Sequence, residues 1–291
     1  MFKQILFVLI ASLFFIGCSS DNQHKIKIAT NSWIGYAPLF YAYETGELKK
    51  LNIELITNVS LAEASEIFEM GKADLVTTTQ HEYLSLKKSI TDITPVILID
   101  RSDGGDMIMS NKTIDELNAS KTIYTYLEID SINSELLKSF LKKYRFKDKE
   151  FVHINKDQFQ ISALKNEAKS MLIVTYSPYN TQLATNGFKE LASTGDIDTL
   201  IVIDALCARR SLLDSDKERL KQLKIVIDQA IEKIQKDPKK VYGVIKKYLG
   251  NITYDEYKSS LKLIKWINKN PSKRLLKNIR ELGYDKGVII Q

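Results

Sequence analysis

The sequence predicts an α/β protein of two lobes with a helical C-terminal tail, and three observations carry that prediction. From Lys25 onward, short β-branched runs alternate with amphipathic runs of helical length, the pattern of strands covered by helices. The alternation starts afresh near Asp106, so two α/β units share one chain. Beyond about Asp214 the strand runs stop and helical periods continue to the end.

In the first unit KIKIAT reads as a strand, APLFYAYETG as a helix with Pro38 in its first turn and Gly46 at its end, and LNIELIT as the next strand. LAEASEIFEMG then reads as a helix, DLVTTT as a strand, HEYLSLKKS as a helix and TPVILID as a connecting run. The second unit reads as strands in DMIMS and KTIYTYL, a helix in SINSELLKSFLKKYRF, a strand in FVHIN, a helix in DQFQISALKN and a strand in SMLIVTY. TLIVIDALCARRSLL returns as a strand to the first unit. The tail is expected as helices over DSDKERLKQLKIVIDQAIEKIQK, PKKVYGVIKKYL and TYDEYKSSLKLIKWINKN, with one more after Pro271.

The chain opens with Lys3, the apolar run ILFVLIASLFFI, then Gly17-Cys18-Ser19-Ser20. That run is too short to span a bilayer and has the shape of a secretory signal. Phe15-Ile16-Gly17-Cys18 resembles the bacterial lipobox, departing from it at Phe15 and Ile16. The resemblance implies a signal peptide over 1–17, lipidation of Cys18 and a tether over 18–25; two acyl chains make a stable membrane anchor. With Cys18 acylated, Cys207 is the one cysteine left, so no intramolecular disulfide and no Cys-based metal cluster is expected. The formal charge of +6 comes from dispersed Lys with no arginine-rich or aromatic-interleaved motif, which points away from nucleic acid.

In α/β lobes ligands bind at the carboxyl ends of strands, where loops lead into helix N-termini. Those turns hold Asn31-Ser32-Trp33-Ile34-Gly35-Tyr36, Thr77-Thr78-Thr79-Gln80, Asp100-Arg101-Ser102-Asp103-Gly104-Gly105-Asp106, Leu127-Glu128-Ile129-Asp130-Ser131 and Tyr176-Ser177-Pro178-Tyr179. Such a concentration of aromatic, hydroxyl and small residues exceeds what loops require. Each has a plainer reading: Trp33 and Tyr36 as core, Thr77 to Thr79 as ordinary strand residues, DRSDGGD as a tight turn with solvated acids.

SWIGYAPLFYAYETGELKKLNIEL, EMGKADLV, DRSDGGDMIM and VTYSPYNTQLATNGFKELAS, in that order and spacing, resemble the extracytoplasmic solute-binding proteins of the nitrate, sulfonate and taurine group, related to binders of thiamin pyrimidine precursors. The resemblance implies a periplasmic-binding-protein type II clamp with two hinge crossings, lobe 1 over 26–102 and 205–291, and lobe 2 over 103–204. Its implied partners are a small-molecule solute and an ABC permease and ATPase, with the protein acting as a monomer, without cofactor or metal. By the same resemblance Trp33 and Tyr36 form an aromatic wall, and Ser32 and the Gly35 turn allow backbone approach. Thr78 and Thr79 supply hydroxyls, Ser131 a hydroxyl and helix-terminal N–H groups, and Tyr176 and Tyr179 the far side.

Asp103 or Asp106 is expected to face the cleft and accept hydrogen bonds from the ligand, and Glu128 repeats the theme where the family often has a small residue. A buried carboxylate repels a bare anion, so a ligand with a nitrogen donor, such as an amino-sulfonate or a pyrimidine, is favoured over nitrate. The rival readings are a receptor for a membrane sensor and, less favoured, a pyrimidine-precursor-type enzyme. The enzyme reading lacks its Cys-rich segment, and His24, His81 and His153 are not spaced as a metal-ligand set. No P-loop, nucleophile elbow or dinucleotide fingerprint occurs, so catalysis is not expected.

Overall fold

The computed structural model describes residues 24–197, 200–250, 252–269, 273–281, 284 and 290. The signal segment and Cys18 lie outside them. In chain order the first lobe begins with β1 (Ile26–Asn31), α1 (Ala37–Glu44), α2 (Glu47–Lys50), β2 (Ile53–Asn58), α3 (Leu61–Glu69), β3 (Leu75–Thr79), α4 (Gln80–Leu86) and β4 (Ile93–Ser102). The second lobe holds β5 (Asp106–Ser110), α5 (Ile114–Ala119), β6 (Thr122–Leu127), α6 (Ile132–Tyr144), β7 (Glu150–Asn155), α7 (Gln158–Ser162), β8 (Met171–Tyr176), α8 (Asn180–Thr185) and β9 (Lys189–Ser193). The chain then returns through β10 (Ile203–Arg209) to α9 (Arg210–Lys236), α10 (Pro238–Ile245), α11 (Tyr254–Ser260), β11 (Ile264–Trp266) and α12 (Lys273–Glu281).

Two sheets result, ordered β11-β4-β10-β3-β1-β2 and β7-β6-β8-β5-β9. Within the first, β1 pairs in parallel with β2 and β3, whereas β10 runs antiparallel between β3 and β4. The central strands are apolar on both faces, and a core lies on each side of the sheet. Ile28, Leu75 and Leu206 pack under α1 and α9 on one side; Ala29, Val76 and Cys207 pack with Phe68 and Tyr83 on the other. The second lobe repeats this at smaller scale, with Ile108, Leu172 and Val174 against α6 and Met107, Met171 and Ile173 on the opposite face.

Local signals explain the helix ends that matter for function. Pro38 sits in the first turn of α1, where its missing N–H costs nothing. Thr79 and Glu82 form a reciprocal capping box that starts α4 at the carboxyl end of β3. Ser131 caps α6 by accepting from the Asn133 N–H. These caps bring three strand-to-helix turns to the same gap between the sheets.

The lobes are joined twice by main chain, through Asp103–Gly105 between β4 and β5 and through 194–202 between β9 and β10. The tail adds a third link that the sequence reading missed. TYDEYKSSLKLIKWINKN was expected as one helix, but α11 stops at Ser260 and Ile264–Trp266 joins the edge of β4, pairing with Ser102 to Asp100. Ile264 is buried and Lys265 exposed, an alternation that suits a strand better than a helix. Leu263 just before it accepts from the Asp103 N–H and packs with the second lobe's Met107 cluster. The short α5, α8 and β9 were also unread; β9 is a partly exposed edge strand beginning with Lys189 and Glu190, which weakens its strand signal.

Candidate functional site

Asn31, Trp33, Tyr36, Leu61, Thr79, Asp106, Tyr176, Val202 and Asp204 line a cavity between the lobes. The cavity left between these walls is about 10 Å³, room for roughly one water. The clamp is therefore closed in this structure. Both walls meet directly: the Asn31 Nδ2 donates to the Tyr176 hydroxyl at 3.0 Å, and the Trp33 ring meets Tyr176 edge-on at 5.8 Å. The Ile34 N–H donates to the Ser177 carbonyl at 3.3 Å, and Leu61 packs with Ile132 and Val202 across the gap.

The first wall is built on a close approach. An added Cβ on Gly35 would lie 2.1 Å from Asp100 Oδ2 and 2.3 Å from Trp33 Nε1. Only glycine lets the Asp100 carboxylate lie against that turn. Trp33 Nε1 donates to Asp100 Oδ1 at 3.2 Å, and the Tyr36 hydroxyl donates to Asp204 Oδ1 at 2.5 Å. Asp100 and Asp204 face each other in register on β4 and β10, so their side chains share one face of the sheet. Burial raises both carboxyls well above the usual range, and each is pushed further by a neighbouring acid, Asp204 by Asp100 and Asp100 by Asp106. Burial likewise pushes the Tyr36 phenol up, with Asp204 adding to it.

Asp106 opens β5 on the opposite side. Its Oδ2 is buried without a hydrogen-bond partner, and burial pushes its carboxyl up to about 7. Glu128, at the end of β6, is 3 % exposed and pushed up to about 8, chiefly by burial and then by Glu82. Tyr176 lies between these acids, its phenol pushed up by burial and by Glu128. Tyr179 is half-buried, edge-on to Tyr176 at 5.5 Å, and hydrogen-bonded to Ser32; burial takes it up to about 12.

Of the sequence-predicted residues, Trp33, Tyr36, Thr79, Asp106 and Tyr176 line the cavity; Ser32, Gly35, Glu128 and Tyr179 do not line it, and Asp103, Thr78 and Ser131 are engaged elsewhere. Asp103 lies outside the cavity, paired with Arg101 and Lys265, each at 2.5 Å, and burial is too slight to offset them, so its carboxyl sits below the usual range. Thr78 turns to the far face of β3, where its hydroxyl meets Cys207 Sγ at 3.2 Å; successive strand residues point to opposite faces, so Thr77 and Thr79 take the cleft side. Ser131 is fully buried, and its hydroxyl donates to the Glu128 carbonyl. The helix terminus it caps is already engaged: Glu82 Oε1 from the first lobe accepts the Ile132 N–H at 2.9 Å.

Trp33 is both core and wall, 4 % exposed and packed within the first lobe's main cluster. Asn31, Glu82 and Asp204 were not anticipated as site residues. Asp204 lies in the apolar run IVIDALCA, where a lone acid inside a strand was the one available signal.

A scan against models of known protein families matches none, and a search of curated proteins finds no match. Solved structures do match over nearly the whole chain. The ligand-binding component of an ABC-type import system from Staphylococcus aureus, with zinc bound, superposes at a TM-score of 0.71 and 18 % identity, covering 89 % of this chain and 91 % of that one. An alkanesulfonate-binding protein from Xanthomonas axonopodis pv. citri bound to MOPS gives 0.71 and 13 %, covering 88 % and 90 %. The periplasmic nitrate-binding protein from Synechocystis PCC 6803 gives 0.61 and 14 %, covering 79 % and 68 %. The chain has the two-lobed periplasmic-binding-protein fold.

Proposed function

We propose that this chain is an extracytoplasmic solute-binding lipoprotein, a non-enzymatic clamp that captures a small organic ligand between its lobes and delivers it to an ABC permease and ATPase. The observation that carries this reading is the interlobe cavity itself. Its polar walls come from both lobes, and they meet across two main-chain hinges, the arrangement by which hinge closure buries a ligand. Residues 26–102 and 205–291 act as one jaw and 103–204 as the other, with the protein working as a monomer. Trp33, Tyr36, Thr79, Asp106 and Tyr176 contact the solute, Ser32, Gly35, Glu128 and Tyr179 frame the site, and Asn31 and Asp204 join them.

The motion gives a test. Val59 follows β2 and is 50 % exposed, whereas Phe159 on α7 is 69 % exposed. Both lie beyond the carboxyl ends of strands, on opposite jaws. Spin labels at Val59→Cys and Phe159→Cys should report two distance populations in the intact protein, the shorter one filling as solute from the small-molecule fraction of the growth medium is added. A single distance, indifferent to solute, would sink the clamp reading. Cys207 is fully buried and leaves the labelling specific.

The anchor is tested separately. Cys18→Ser should move the protein from the membrane fraction to the soluble one, since it removes the site of the acyl chains that would anchor it. Retention in the membrane would mean an uncleaved anchor helix.

A further inference from the structure

Once Asp106 is ionised, the cavity wall presents mainly acceptors. Asp106 Oδ2 and Asn31 Oδ1 are buried and unpartnered, on residues 4 % and 1 % exposed. Donor hydrogens on the same wall are already engaged: Trp33 to Asp100, Tyr36 to Asp204, Asn31 to Tyr176 and Thr79 to Glu82. The Tyr176 hydroxyl hydrogen and the second Asn31 Nδ2 hydrogen are the exceptions. None of the nine lining residues is Lys, Arg or His, and Arg101 is held by Asp103. The N-terminus of α6, which would suit an anion, is taken by Glu82.

Further acids stand behind the wall. Asp100 lies beneath Gly35 and Trp33, and Glu82 and Glu128 adjoin Tyr176 and Asp106 through their fields. An anion entering such a site is repelled by every one of these carboxyls that ionises, and no lining cation offsets that repulsion. We infer that the solute is a compact organic cation with N–H donors pointing in at least two directions, of the amidinium or guanidinium class. This deepens the solute-binding reading and rests on it. A single metal ion fits less well: among the described residues no three His, Cys, Asp or Glu side chains are grouped to hold one. The unpartnered acceptors come from β1 in one lobe and β5 in the other, which a polyatomic cation spans and a point charge does not.

Proton linkage follows from the same geometry. The groups facing the cation are Asp106 and Asp204, with Asp100, Glu82 and Glu128 behind them, Asp157 near Glu128, and the phenols of Tyr36, Tyr176 and Tyr179. With Asp106 pushed up to about 7, a cation must displace its proton below that pH, so affinity rises as pH rises through it.

The test uses the intact protein in detergent and five probes: acetamidine, methylguanidine, ethanesulfonate, nitrate and zinc. At least one of the two organic bases should raise Tm saturably and bind about tenfold more tightly per pH unit between pH 6 and 7 for each proton released. Asp106→Asn should weaken that binding about 30-fold or more, and Glu128→Gln, which leaves the wall in place, should weaken it and reduce its pH dependence. Saturable binding of ethanesulfonate, nitrate or zinc in place of the bases, or base binding undiminished in Asp106→Asn, overturns the cation inference and leaves the solute-binding reading intact. No binding by any probe, together with no small molecule retained by the protein, overturns both.

Discussion

Gly35→Ala should lower the melting temperature of the protein by about 6–12 °C and abolish solute binding. The added Cβ would fall 2.1 Å from Asp100 Oδ2 and 2.4 Å from Asp100 Cγ, far inside contact distance. Neither neighbour is the free end of a flexible side chain. Asp100 is fully buried and tied to Trp33, and Trp33 in turn lies against Gly105, where an added Cβ would meet its Cη2 at 2.4 Å. Relief therefore requires the whole wall to shift, and overpacking of this kind costs about 3 kcal/mol, which for a chain of this size corresponds to the stated change in Tm. Gly243→Ala is the control, since it sits within α10 with nothing within 4 Å of the added methyl, and should be neutral or slightly stabilising. Calorimetry of both variants decides the matter; equal behaviour would mean that the Gly35 turn relaxes freely.

The second large effect is on stability against pH. In the ligand-free protein, Asp106 and Glu128 are raised to about 7 and about 8, whereas in the unfolded chain both ionise near pH 4. Between those values the folded protein holds a proton that the unfolded chain has released. The contribution of these groups is therefore greatest at and below about pH 4 and falls as pH rises, by about 1.4 kcal/mol per pH unit for each group, levelling off above the folded values. The fall for Asp106 alone is about 4 kcal/mol, a large share of the stability of an ordinary domain. Asp103, held below the usual range by Lys265 and Arg101, titrates below this window. Calorimetry at pH 5, 6, 7 and 8 should show Tm dropping stepwise, and Asp106→Asn should raise Tm at pH 8 and flatten the trend. A Tm that climbs with pH across this range would contradict the buried-acid description.

This instability is what a binding site stores. Asp106 Oδ2 is held without a partner in the closed cavity, and a solute that donates to it would restore what folding left unsatisfied. Sites of function often break the rules that the rest of a fold obeys.

How far the sequence revealed this depends on the kind of signal. Most strands of both lobes were legible as β-branched runs of strand length, Lys189–Ser193 and Ile264–Trp266 excepted, and the DGGD crossing was legible because paired glycines mark a sharp turn. Which of its acids faces the cleft was not: Asp103 and Asp106 are three residues apart, and the choice depends on Arg101 and Lys265, the latter brought in from a distant edge strand. Thr78 against Thr77 is a question of strand parity, fixed by packing against Cys207. Asp204 is hidden inside a core-like run, and its meaning comes from register, which sets it beside Asp100 and under Tyr36. Glu82 reads as an ordinary capping-box acid until its second oxygen is found on the N–H of Ile132 in the other lobe. Trp266 belonged by pattern to a helix and is found on an edge strand, because the open side of β4 offered unpaired backbone groups.

The central claim is that the walls around Asp106, Asp204, Asn31 and Tyr176 enclose a solute. Native mass spectrometry of the intact protein, released from detergent after purification from its own membranes, tests it most directly. The account predicts one small molecule per chain in the wild type, absent from Gly35→Ala and depleted in Asp106→Asn. A protein that carries nothing in any of the three, or that carries the same molecule undiminished in both variants, would contradict it.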